Sequence, residues 1–414
     1  MDHKEMLPDT VIIGAGPAGL FAAAQLNGHT LLLEKNELPG RKLMISGSGQ
    51  CNLTHSGSIK SFPLRYGNAA TFIRKSLFAY DNLRVVKFFN NLGVASTKDK
   101  NGKIFPSSLK AGDILNALIK AGSMRGAILQ TRENVTNIGR AGDLFNITTG
   151  NTTYTARYLL IATGGLSYPA TGSTGDGYRF AKALGHTVAE TYPALTPVIV
   201  QNYNFAALQG ITLPQARIAL YRNKRKINEH TGSIVFTRNG LSGPGIIDFS
   251  RYIRADDILK VNVTPVTAEQ LNHNLKQVSQ LNGSMQLQTA LKYLQVPRNL
   301  LLLLLDLAEA KPEMRIAEIS KALRLRIAAL LTELPFEVAG TGSYKQAMAT
   351  TGGVVLSEVN SISMESLICP NLYFAGEVLN IDGDTGGFNI QAAFSTAYAA
   401  ATSINEKLQK ENQD

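Results

Sequence analysis

The chain has 414 residues, 44% of them hydrophobic and 17% charged, and 41 basic against 31 acidic side chains give it a net charge of +10. That length exceeds what one core serves, so two or three domains are expected of an ordinary soluble protein, and the charge suits either a polyanionic partner or an enzyme with a basic surface. Two distant cysteines without a C-x-x-C spacing exclude a thioredoxin-type pair and a zinc knuckle, and six scattered histidines form no i,i+4 pair, so no metal site is expected.

The first residues, Met1-Asp2-His3-Lys4-Glu5, lack the charge and apolar pattern of a signal peptide, and a cytoplasmic location is expected. Thr10-Val11-Ile12-Ile13 then reads as a buried strand that runs into Gly14-Ala15-Gly16-Pro17-Ala18-Gly19 and a helix from Leu20 to Leu26. A second apolar run, Thr30 to Leu33, ends in Glu34, twenty residues after Gly14. This is the dinucleotide-binding arrangement. The first glycine makes the tight turn, the second admits the backbone to a pyrophosphate, and the third brings helix and sheet together. Helix N–H groups face the phosphates, and Glu34 accepts from an adenosine ribose. Lys35 follows in the next turn as a further contact.

Beyond the turn at Pro39-Gly40, Arg41 and Lys42 are placed to neutralise phosphate charge. The small residues around Ser46, Gly47 and Gly49 let the backbone approach a flat ligand, with Cys51 and Asn52 beside them. Residues 68–92 read as helical and stop at Gly93; Asn101-Gly102 is a hairpin turn ringed by Lys98, Lys100, Lys103 and Lys110 as a solvated rim. A helix from about Gly112 to Ala121 precedes three strands, Ala127–Thr131, Leu144–Thr149 and Thr153–Ile161. The last runs into Thr163-Gly164-Gly165, the way a flavoprotein chain returns under its nucleotide, and this puts the Val135 region near the adenine. Thr174 to Gly177 opens a helix capped by Gly185.

From about residue 190 to Thr264 the texture is β-rich, with the densest basic cluster, Arg222 to Lys226, at a hairpin tip. Residues 267–333 turn helical, broken by Pro297 and Pro312, with Lys321, Arg324 and Arg326 as a basic face. Leu300 to Leu305, the longest apolar run, is stopped by Asp306 and is too short to span a membrane. Thr350 to Val354 precedes a strand, and Asn371 to Phe374 is a buried strand that leads to Gly376-Glu377. After Asp382 to Asn389 an alanine-rich helix runs from Ile390 to about Asn405. Glu377 would bind ribityl hydroxyls, and the helix start at Gly386, Gly387, Phe388, Asn389 and Ile390 would face a flavin pyrimidine ring, favouring the negative charge of its reduced form. An NAD site needs neither, so FAD is the expected cofactor.

The ordered motifs GAGPAG, GRKLMISGSGQCNLT, ATGG, TGSTGDGY, FTRNGLSGPG, TTGGV, MES and LYFAGEVLNIDGDTGGFNIQAAF resemble those of the BaiN/YhiN-like family of bacterial FAD-dependent oxidoreductases, a glutathione-reductase-like branch that includes aminoacetone-oxidase-like flavoproteins. One departure is Gln50, where the family pattern has arginine. The resemblance implies an α/β protein with a discontinuous Rossmann-type FAD domain (1–190 and 348–414), an inserted β-rich domain (191–266 and 335–347) and a helical insert (267–334). It also implies one of several activities: amine oxidation of the aminoacetone type, reduction of conjugated steroid double bonds, or reduction of uridine to dihydrouridine in ribosomal RNA. A reductase acting on large-subunit rRNA is the preferred expectation. A small-molecule oxidase or enone reductase and a non-catalytic, flavin-carrying RNA-binding protein stay open beside it. No second glycine fingerprint is present, so NAD(P)H, as electron donor, would dock transiently. Cys51 and Tyr168 are the candidate proton donors.

Overall fold

The structure, a computed structural model, describes residues 8–411 and 413; the leader reading of Met1–Glu5 lies outside them. The chain divides into two compact units, one formed by the chain up to Ala194 together with Tyr344 onward, the other by Leu195–Ser343.

The first unit is built on a parallel sheet of β1 (Thr10–Ile13), β2 (Thr30–Leu33), β3 (Ile128–Gln130), β4 (Tyr158–Ile161) and β5 (Leu372–Phe374), in the order β5-β4-β1-β2-β3. All but the edge strand β3 are buried at every position, which is why they read as unbroken apolar runs rather than alternating ones. Ile13 pairs with Leu33 and Ile161, and Ile161 with Phe374. This register aligns the strand ends, so the loops that begin at Gly14, Glu34, Ala162 and Ala375 leave along one edge, where α/β sheets bind ligands.

The helices of this unit are α1 (Pro17–Ala23), α2 (Arg41–Ile45), α3 (Ala70–Ala79), α4 (Asn82–Asn91), α5 (Ala111–Met124), α6 (Asp176–Ala183) and α7 (Phe388–Glu411). Helix α7 packs on α1 and α3 through buried Ala392, Ala393, Ala397, Ala400 and Ala401, whose small side chains permit close approach. The single helix expected over 68–92 is two. Tyr80 leaves helical geometry (φ −138°, ψ 88°), and the Asp81 carboxylate caps α4 by accepting from Arg84 N–H at 2.8 Å. The strand expected over 153–161 is also two. Thr153–Ala156 belongs to an antiparallel meander with Leu144–Thr149 and the unforeseen strand Val135–Ala141, while Tyr158–Ile161 joins the parallel sheet. Thr350 to Val354 does not precede a strand but forms one, Ala349–Val354, paired with Val188–Ala194.

The second unit is a closed six-stranded barrel of Val198–Val200, Thr212–Arg222, Arg225–Phe236, Gly240–Ser242, Ile258–Asn262 and Leu334–Thr341. Helices Ala268–Leu281, Arg298–Leu307 and Lys321–Thr332 lie between its last two strands and share one core with it, including Leu271, Leu300, Leu304, Ile327 and Leu331. The basic hairpin tip is a two-residue turn, with Asn223 and Lys224 left-handed at φ 49° and 63°.

Candidate functional site

The first strand exit behaves as its glycines require. Gly14 has φ +100°, and a Cβ there would stand 2.7 Å from the Ala162 carbonyl oxygen; a Cβ on Gly19 would be 1.9 Å from the Gly14 carbonyl. Gly16 is the opposite case, with nothing within 4 Å of a Cβ. An open cradle therefore lies beside the Ala15–Ala18 backbone, and Pro17 opens the helix without a donor to lose. The Glu34 carboxylate accepts from Ala15 N–H (2.9 Å), Asn36 N–H (2.9 Å) and the Asn36 carboxamide (2.7 Å). Arg132 and Glu133 N–H groups donate to the carbonyls of Asn36 and Glu34, which brings the segment leading to buried Val135 beside this acid.

Lys35 does not stand alone: it pairs with Asp176 at 2.6 Å, and Thr174 donates to the same carboxylate at 2.8 Å. Burial pushes the Asp176 carboxyl up, but these hydrogen bonds outweigh it and hold the group below its ordinary range. Arg41 donates to the Asn36 side chain at 3.2 Å.

Lys42 is likewise committed within the protein. Its ammonium pairs with Glu377 at 2.6 Å; Ser167 Oγ donates to the same carboxylate at 2.8 Å, and Thr350 N–H does so at 2.8 Å. Thr350 Oγ1 in turn accepts from Leu166 N–H (2.9 Å) and Ser167 N–H (3.1 Å). A Cβ on Gly165 would press on Thr350 Oγ1 at 2.6 Å and on Glu377 at 3.2 Å, so only glycine passes under this cluster. Gly164 is left-handed at φ +74° and lies beside Ser173. The hydroxyls of Thr163 and Tyr178 are buried without a protein hydrogen bond; burial raises the Tyr178 phenol, and Glu377 and Tyr344 add to that rise.

The loop after α2 turns back on itself, with left-handed backbone at Gly47, Ser48, Gly49 and Cys51, and Ser46 Oγ bonded to Leu43 O. The Asn52 carboxamide, oriented to satisfy its neighbours, donates to Thr54 O (2.9 Å) and Ile104 O (3.2 Å) and accepts from Gly387 N–H (2.9 Å). Gly386 is buried, and a Cβ on Gly387 would strike the Thr54 carbonyl at 2.6 Å. Asn389 closes its own loop by bonding both the N–H and the carbonyl of Gly383. Phe388 stacks on His55 (5.2 Å) and meets Phe62 edge-on (5.1 Å), so its ring serves packing and only its backbone opens α7 with Asn389 and Ile390.

Cys51 requires a correction. Its thiol is 0% exposed and part of the central core, and burial pushes it up to about 12 against a small opposing hydrogen bond from Ser46. A side chain with no surface open to a ligand does not deliver a proton, which removes Cys51 as the donor. Tyr168 is half-buried and left-handed (φ 54°, ψ 60°), anchored by its N–H to Tyr344 O at 2.9 Å. Ser167, Thr350, Asn36, Thr174 and Asp176 were not foreseen. The motifs carrying Ser167 and Thr350 were visible, but nothing local marks side chains that meet across 183 residues.

The glycine turn, two acids at aligned strand ends and a helix start on the same edge define a Rossmann-type, FAD-dependent oxidoreductase. The open cradle at Gly16 and the orphaned Thr163 and Tyr178 hydroxyls fit such a group. The chain belongs to the HI0933-like family: the family's Rossmann-domain profile, "HI0933-like protein Rossmann domain", matches residues 8–403. It is 31% identical over 413 residues to the ribosomal RNA dihydrouridine synthase of Haemophilus influenzae, covering 96% of this chain and 99% of that one. It is 28% identical to the protein of the same name from Escherichia coli (96% and 98% covered). The 3-dehydro-bile acid delta(4,6)-reductase of Clostridium scindens is 27% identical, again with 96% and 98% covered. Among the described residues no helix is long and apolar enough to cross a membrane, and no group of three or more His, Cys, Asp or Glu is placed to hold a metal.

Proposed function

We propose that this protein reduces an activated C=C bond, and that its substrate is uridine in large-subunit ribosomal RNA, converted to dihydrouridine. The observation that carries the substrate is the pair of dihydrouridine synthases matched along 99% and 98% of their lengths. When bound, FAD supplies hydride transfer, with NAD(P)H as the donor that docks transiently and leaves.

The chain's own residues have distinct tasks in this reading. Around the pyrophosphate, Gly16, Ala18 and Gly19 offer backbone N–H groups while Gly14, Ala15 and Pro17 shape the turn, and Glu34 holds the adenosine ribose, with Val135 lining that end, Lys35 and Arg41 closing it, and Thr163, Gly164 and Gly165 running from Gly14 toward Glu377. Glu377, fixed by Lys42, Ser167 and Thr350, accepts from ribityl hydroxyls. The left-handed backbone of Gly47 and Gly49, following extended Ser46 and pinned through Asn52 to Gly387, lets main chain lie flat against the ring, and the start of α7 stabilises negative charge there. Tyr168 is the proton donor to the carbon beside the one that receives hydride; its left-handed backbone is the kind of conformation that clusters at working sites.

The test is nucleoside mass spectrometry of large-subunit rRNA from host cells with and without the gene. Loss of one dihydrouridine is expected, and unchanged dihydrouridine would end the RNA reading. The bile-acid reductase relative supports a second reading, reduction of a small conjugated ketone, which predicts turnover of enones by purified protein with no change in rRNA. In either case Tyr168→Phe should retain flavin reduction by NAD(P)H and lose most product formation.

A further inference from the structure

We propose that the lobe formed by residues 51–110 of the first unit is the surface that grips the RNA, a proposal that rests on the ribosomal RNA reading above. The net charge of +10 is not spread along the chain. Residues 51–110 hold ten Lys and Arg against two acids, Asp81 and Asp99, so this lobe carries +8 of it and the other 354 residues only +2.

Both acids are spent on backbone: Asp81 caps α4, and Asp99 accepts from Asn101 N–H at 2.9 Å and Lys103 N–H at 2.8 Å to shape the hairpin. All ten basic residues but Lys103 are exposed, and all ten but Arg65 lack an ion pair with a carboxylate among the described residues. The two other basic clusters differ. In the barrel hairpin Arg222 is locked to Asp257 by two bonds of 2.8 Å, and Lys226 pairs with Glu229, as does Arg217. On the helix Lys321–Thr332, Arg326 pairs with Glu309 at 3.0 Å and Arg324 bonds Asn272 at 2.7 Å. Three of the seven cations in those two clusters, Arg222, Lys226 and Arg326, are thus neutralised by a carboxylate, against one of ten in the lobe.

Unpaired cations spaced over two helices and a hairpin suit a polyphosphate chain, which gains by releasing counterions and needs no matching carboxylates. The lobe also exposes Phe78, with the Arg74 guanidinium 5.7 Å from its ring centre, and this pair offers a stacking platform to an unpaired base. It is continuous with the cofactor edge. Arg65 lies over Phe388, the first residue of α7, at 5.7 Å and pairs with Asp384 at 3.5 Å. Asn82, at the start of α4, holds the carbonyls of His55 and Gly57. An RNA bound on the lobe therefore reaches the loop before α7.

The experiment uses FAD-loaded full-length protein and a fluorescently labelled, unmodified large-subunit rRNA transcript, with affinity read across a salt series. The lobe variant is Arg84→Glu, Lys87→Glu, Lys98→Glu and Lys100→Glu; the control carries the same charge change on the barrel unit, Lys224→Glu, Arg225→Glu, Lys311→Glu and Lys321→Glu. Flavin absorbance and melting midpoint verify folding, and the Arg84/Lys87 and Lys98/Lys100 pairs tested separately replace the quadruple variant should it fail to fold. The lobe variant is expected to bind at least about tenfold more weakly, with its salt slope reduced by roughly three, and the control to stay within about twofold. Equal losses in both variants, or a normal lobe variant, overturn the lobe while the rRNA assignment stands or falls on the dihydrouridine analysis. A wild type that does not bind the transcript overturns the lobe and the RNA reading together.

Discussion

Two glutamates end two strands of the same sheet, and they are held in opposite ways. Glu34, after β2, takes its hydrogen bonds from Ala15 and Asn36, both within 19 residues. Glu377, after β5, is held by Lys42 and Ser167, which lie 335 and 210 residues away, and by Thr350. The first acid belongs to a turn that any β-α-β unit can fold by itself. The second has its partners only when the distant parts of the unit have met. One half of the cofactor edge is local chemistry, the other is assembled.

Substitutions can separate the two halves. The largest effect is expected at Gly19, where a Cβ would stand 1.9 Å from the Gly14 carbonyl and neither backbone can yield. Gly19→Ala should cost about 3 kcal/mol or more, read from a denaturant midpoint; a stability near wild type would show that the turn adapts. Gly16→Ala should do the reverse, because the position has room and an ordinary φ of −82°. Apoprotein stability should stay within about 0.5 kcal/mol while FAD affinity falls at least about tenfold in a flavin-fluorescence titration.

On the assembled side, Lys42→Met leaves Glu377 without its cation and should weaken FAD severalfold, with part of the loss recovered in Lys42→Arg; equal affinity in all three proteins would detach this pair from cofactor binding. His186 belongs to a second assembled cluster, with Ser366 at 2.7 Å and Glu358 at 3.2 Å. Burial lowers its pKa from 6.5 against the opposing pull of Glu358, so the neutral ring contributes stability that is full above about pH 6.5 and is lost as pH falls below it. The melting midpoint should drop less steeply between about pH 7 and 5 in His186→Gln than in wild type. The smallest effect belongs to Cys51→Ala, with turnover within about twofold and stability lower by about 1 kcal/mol. Loss of product formation there, with flavin reduction intact, would restore the thiol as proton donor.

The same contrast explains what could be read from residue order. The Gly14–Gly19 turn, the buried strands and the start of α7 carry their signals in adjacent residues, and the structure has them there. The split at Asp81 was also locally marked, by a capping residue inside an otherwise continuous apolar pattern. The exchange of Tyr158–Ile161 into the parallel sheet had no local mark, because one apolar stretch serves a meander and a core strand equally well. Cys51 was misread because its glycine-rich neighbours suggest openness, whereas its own side chain turns into the core at 0% exposure. The basic clusters were visible as counts, but only pairing shows which charge is left over. Arg222 and Lys226 are spent, and Lys87 and Lys100 are not.

The interrupted first unit has a consequence for biosynthesis. The barrel, Leu195–Ser343, is translated in full before Thr350, Glu377 and α7 exist as chain. The early strands β1 to β4 must therefore wait, with one edge of their sheet unpaired and the surface under α7 uncovered, while an entire second unit emerges and folds. On the cofactor site proposed above, flavin loading becomes a terminal event in the life of the nascent polypeptide, since a chain stalled or cleaved after the barrel would hold the Gly14–Gly19 turn without Glu377 or α7.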